Sequence, residues 1–219
     1  MDTDRLIHAL SNELTPVTPL AHPWRRTLAW TAGAAAYLAL MVFVTTPRED
    51  VGARLRDPLF MLEQVAALVT GLTAAWTALA SAVPGRRPPV ALPFAAAAVW
   101  LALVVAGAVR DARLAADGTA LFQADWGCVG TVVAGTIGPA AVMTVMLRRA
   151  AALTPRLTAA LGGLGAAGLG NLGSCLSHPD ASNVIVLVWH VGTVMAVAML
   201  AGVLGPRFLH WPRTVAVQP

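Results

Sequence analysis

Apolar residues in this chain fall in long unbroken runs. They show neither the alternation of a half-buried strand nor the narrow stripe of a soluble helix. Six runs of about 20 residues, the length that crosses the hydrocarbon core of a bilayer, occupy 27–46, 59–83, 90–109, 126–147, 156–174 and 183–204. They predict an all-α protein: a polytopic membrane helix bundle with six transmembrane helices. The links at 47–58, 84–89, 110–125, 148–155 and 175–182 are too short to hold a folded extramembrane domain. The organisation is therefore a tail over 1–24, a six-helix transmembrane domain over 25–205 and a second tail over 206–219.

The first 24 residues follow a different pattern. Leu6, Ile7, Leu10 and Leu14 share one face at helical spacing, with Arg5, His8, Asn12 and Glu13 mostly off it. Asp2 and Asp4 suit the positive end of a helix. Pro16, Pro19 and Pro23 end it and make a stiff spacer to the first span. A helix of about 13 residues is marginal alone in water, so its apolar stripe needs a surface. A membrane-surface helix usually carries Lys or Arg flanks, whereas this one is mildly acidic. A groove on a partner protein fits it better; a bland surface or disordered tail is the plainer alternative.

Composition agrees with a bilayer as the solvent. The 219 residues are 57% hydrophobic and 12% charged, against roughly 25% charged in soluble domains. So little charge leaves too little polar surface to cover a water-exposed fold. The net charge is +4 and every base is arginine. The arginines lie in short groups between apolar runs, not in the stripe that binds nucleic acid, and such groups orient membrane proteins. One side holds Arg5, Arg25, Arg26, Arg86, Arg87, Arg148, Arg149, Arg156, Arg207 and Arg213. The other holds Arg48, Arg54, Arg56, Arg110 and Arg113 amid seven carboxylates. The side with ten arginines, which includes both tails, is expected to be cytoplasmic in a bacterial-type inner membrane. Arg25-Arg26 also resembles a twin-arginine export signal. No clean cleavage site follows it and five more spans do, so a charge anchor for the first span is preferred.

Within the spans a few residues stand out. Glycines from Gly162 to Gly173 make the fifth span a close-packing helix. Tight packing inside the bundle explains them, and a homo-oligomer contact is the minority reading. Pro139 is expected to kink the fourth span. Glu63, Cys128, Cys175, His178, Asp180 and His190 all fall toward the side opposite the tails, where they could converge in one shallow site. Thiolates and imidazole suit soft or borderline ions such as zinc, cadmium or copper, while two thiols on an oxidising side can also form a disulfide. Against these stands ordinary packing: a small buried cysteine, a hydrogen-bonded or protonated Glu63, a satisfied His190. No hydrolase triad, phosphate loop or dinucleotide fingerprint is present, so no catalytic residue is assigned.

Several segments together resemble the NrsF family of membrane anti-sigma factors. They are "DRLIHALSNELTPVTPL" near the start, "RDPLFMLEQVAALVTGLTAAWTALASAVPGR" in the second span, "DWGC" at Asp125–Cys128, "CLSHPD" at Cys175–Asp180, "VWH" at Val188–His190 and the ending "GPRFLHW". The resemblance covers nearly the whole chain. It implies a protein that holds an extracytoplasmic-function sigma factor at the membrane until an external stress releases it. Heavy metal is the associated signal, and two periplasm-facing cysteines, here Cys128 and Cys175, are its implied sensors. Sigma binding would map onto Leu6, Ile7, Leu10 and Leu14. Family members often have His directly before the second cysteine; here Ser174 stands there and His178 follows.

The leading expectation is thus a signal-transducing binding protein, not an enzyme. It requires no cofactor, and a transient zinc or cadmium ion would serve only as signal. A membrane thiol oxidoreductase would need a vicinal cysteine pair and a second pair for relay. A small-solute or metal transporter would more often carry polar groups at mid-depth.

Overall fold

The computed structural model describes residues 3–12, 20–45, 48–86, 88–114, 126–150, 152–177 and 182–209. Among them the regular structure is entirely helical. Helix α1 (Thr3–Asn12) stands in the N-terminal tail, and α3 (Val51–Arg54) is a single turn between the first two spans. Six helices are long and apolar enough to cross a membrane: α2 (Pro23–Thr45), α4 (Pro58–Ser81), α5 (Ala91–Leu114), α6 (Trp126–Arg148), α7 (Pro155–Ser177) and α8 (Asn183–Phe208). The chain is a membrane protein. Each span meets its own backbone hydrogen bonds, as an apolar solvent requires. Their outer surfaces carry Leu28, Phe43, Ile137, Met199 and Val203 exposed to lipid.

Helix α7 is the post around which the others stand. Of its most apolar 18 residues 78% are buried, against 17–33% in the other five spans. Glycine makes this position available to it. A Cβ added to Gly163 would lie 2.7 Å from Ala201 on α8, one on Gly168 3.3 Å from Gly71 on α4, and one on Gly173 2.8 Å from Leu38 on α2. A Cβ on Gly170 would meet the α6 backbone at Thr136 N, 2.8 Å away. The glycines therefore face four different neighbours within the bundle, as close backbone approach demands. Two apolar clusters fill the space on either side of α7. One joins Trp30 and Leu38 of α2, Leu79 of α4 and Met143 of α6 to Ala166 and Leu169. The other joins Ala74 of α4, Trp100 and Val104 of α5 and Val194 of α8 to Leu164 and Ala167.

Polar ties fix helix pairs at both ends. Near the two tails, the buried Arg26 donates to the Met146 carbonyl at 2.6 Å. A cation there satisfies an otherwise orphaned carbonyl at the end of α6. Deeper in, Trp30 Nε1 donates to the carbonyl of Pro139 at 2.9 Å and Tyr37 Oη to that of Ala134 at 2.7 Å. Pro139 lies inside α6, where it has no N–H to give the carbonyl of Gly135 four residues back.

Candidate functional site

The face opposite the two tails, the distal face, concentrates the polar chemistry of the bundle. Asp57 caps α4, accepting from Leu59 N at 3.0 Å. The same carboxylate receives both terminal nitrogens of Arg110 from α5, at 2.7 and 3.2 Å. Asp111, one residue on, accepts from the first amide of α8, Asn183 N, at 2.7 Å. One turn of α5 thus binds the starts of α4 and α8. The Arg110 guanidinium holds the Asp57 carboxyl below its usual range, with the cap amides helping.

A second clamp closes over the end of α7. The backbone N–H of Arg48 donates to the carbonyl of Leu176 at 3.1 Å. Its guanidinium, 4% exposed, forks onto Asp50 through Nε and Nη2. Arg54 reaches the same carboxylate at 3.4 Å. Hydrogen bonding from Arg48 is the largest influence holding Asp50 below the ordinary carboxylate range. This clamp places a cation over the negative end of α7, directly above Cys175.

Beneath the clamp lies a small cavity whose lining includes Arg48, Glu63, Gln64, Cys175, Asn183 and His190. Glu63 is 3% exposed and His190 1%. A segment of π-helix, Val186–Val191, sets the direction of His190 within α8; such segments often occur at functional sites. His190 Nδ1 lies 2.8 Å from Asn171 Oδ1 and 3.8 Å from Cys175 Sγ. The amide oxygen can only accept, so the assigned network puts the proton on Nδ1. That nitrogen then has no lone pair for the thiol proton, and Cys175 rests as an unactivated thiol. Outside the cavity, Trp126 packs on Trp189 with ring centroids 5.2 Å apart.

Cys128 and Cys175 flank one seam. Thr131 Oγ1, one turn beyond Cys128 on α6, meets Ser174 Oγ beside Cys175 on α7 at 2.6 Å. Both cysteines are buried and no disulfide joins them. Cys175, Glu63 and His190 line the common cavity, while Cys128 does not. Among the described residues no three His, Cys, Asp or Glu side chains form a metal cage. His178, Asp180 and Leu14 lie outside the described residues. At the other end of the molecule, α1 has no buried residue, and Leu6, Ile7 and Leu10 are 42–58% exposed.

Asn171, Gln64 and the Arg48–Asp50–Arg54 clamp were not anticipated. Asn171 carried a usable signal, since a lone amide deep in a glycine-rich span is costly without a partner. The clamp carried none, because arginines and aspartates of a short link look alike in sequence whether or not they pair.

A protein-family model described as negative regulator of sigma F (NrsF) matches residues 10–211. No curated protein and no solved structure matches the chain.

Proposed function

The chain belongs to the NrsF family of negative regulators of sigma F, and on that basis we propose that it is an inner-membrane anti-sigma factor with both tails in the cytoplasm. It sequesters an extracytoplasmic-function sigma factor through α1. Heavy-metal or oxidative stress reaching Cys128 and Cys175 from the periplasm releases that partner. The arginine asymmetry supports the orientation. The burial of both thiols supports a quiescent resting state, since a thiol in apolar surroundings is poorly reactive.

The single observation that carries the sigma-binding role is α1. Ten residues long, it exposes Leu6, Ile7 and Leu10 and buries none of its side chains. A short amphipathic helix with an uncovered apolar face fits a groove on a soluble partner. Co-expression with each extracytoplasmic-function sigma factor of the host in turn, followed by affinity purification of the full chain, tests it. The native chain should retain the sigma factor, and the Ile7→Asp/Leu10→Asp double variant should lose it while purifying equally well. Equal retention by both would remove α1 from the interface.

A further inference from the structure

The cavity beneath the Arg48–Asp50–Arg54 clamp measures about 20 Å³. A single water molecule needs roughly 10–15 Å³ of such space. Two acceptors on adjacent residues, Glu63 Oε1 and Gln64 Oε1, are buried there without a hydrogen-bond partner. A buried acceptor left unpaired is unfavourable, so both call for a donor. No protein donor reaches either of them, and Arg48 and Arg54 both point donors at Asp50 instead. The lining also includes Cys175 but not Cys128.

We propose that this cavity binds one water-sized molecule with two donor hydrogens, held between Glu63 and Gln64, and that it is the route by which small polar reagents reach Cys175. Arg48 is its lid. The two cysteines are therefore unequal: Cys175 is the entry thiol, and Cys128, fully buried at the α6–α7 seam, is reached only after it. This deepens the sensing half of the proposed function and rests on Cys175 being a receptor thiol. Its test reads thiol chemistry in the purified chain rather than transcription, so it can fail while sigma binding stands, and the reverse.

The test compares two single-cysteine chains, Cys128→Ser and Cys175→Ser, each intact in detergent. They are treated with methyl methanethiosulfonate, which is small and neutral, and with a bulky sulfonated maleimide. In the Cys128→Ser chain, Arg48→Ala should speed the bulky reagent at Cys175 by about tenfold, since thiol reaction rates follow access. Adding Glu63→Leu instead, which replaces the carboxylate by an apolar wall and removes that acceptor, should slow the small polar reagent by about tenfold. Neither change should move labelling of Cys128 in the Cys175→Ser chain by more than about twofold. The two variants act in opposite directions, so general unfolding, which speeds every reaction, cannot imitate the result. An unchanged small-reagent rate in Glu63→Leu, or an equal acceleration of both cysteines by Arg48→Ala, overturns the proposal.

Discussion

Gly170 offers the sharpest test of how the bundle holds its distal site together. It sits on α7 against α6, between the two cysteine-bearing helices. A Cβ placed there would lie 2.5 Å from Thr136 Oγ1, 2.8 Å from Thr136 N and 2.9 Å from Val132 O. Two of these atoms are backbone and cannot rotate away. Ordinary contact returns only if α6 and α7 part by roughly 0.5 Å, because dispersion contact falls steeply over such gaps and turns repulsive on overlap. Overpacking of this kind costs about 1–3 kcal/mol. Alanine recovers up to about 1 kcal/mol of that through helix propensity. Gly130 on the facing helix α6 is the control, since its Cβ would meet nothing within 4 Å. Gly130→Ala should therefore be neutral or mildly stabilising, and the difference between the two variants isolates the overlap at about 1–3 kcal/mol. Denaturant titration of the detergent-solubilised chain, followed by tryptophan fluorescence, measures it. Gly170→Ala should also speed labelling of Cys128, because the seam beside Thr131 and Ser174 opens. If Gly170→Ala proved as stable as Gly130→Ala, α6 and α7 would not be in the close backbone contact described here. The central position of α7 would then lose its physical basis.

Two further predictions concern the distal face. Asn171→Ala in the Cys128→Ser chain removes the acceptor that keeps the proton on His190 Nδ1, freeing that nitrogen to accept from Cys175. Alkylation of Cys175 should then rise about tenfold near neutral pH, and Asn171→Asp, which keeps an acceptor, should restore the slow rate; equal rates in all three chains would discard the tautomer argument. The second is acid sensitivity. Asp57 is held below its usual 3.8 chiefly by Arg110. A carboxylate depressed in the folded state adds stability that is fully present above its unfolded value and is lost as pH falls through its folded value. The melting temperature should be flat above about pH 5 and decline below about pH 4. Asp57→Asn should flatten that decline, and an unaltered acid limb would show that the Arg110 clamp is not linked to stability.

Much of this molecule was legible in the chain itself. The six runs set the six spans because a bilayer demands a fixed apolar length and the helix rise converts it directly into residues. Ends moved by only a few positions, as at α5, which starts at Ala91 and continues through Arg110 to Leu114. That extension matters: it carries Arg110 and Asp111 onto the helix, where they reach Asp57 and Asn183. The stripe of α1 was equally readable from spacing, and Pro139 inside α6 needed no structure to be noticed.

What the chain alone could not decide is who stands beside whom. Cys175, Glu63 and His190 come from three helices, and their meeting depends on the rotation of each helix about its own axis. Apolar periodicity constrains that rotation poorly when lipid accepts almost any apolar face. Packing around the glycines of α7 settles it, turning both Cys175 and Asn171 toward His190 and leaving Cys128 beyond the cavity's walls. Spacing along a membrane helix determines depth, while contact between helices determines azimuth. A binding site needs both, and only the folded bundle supplies the second.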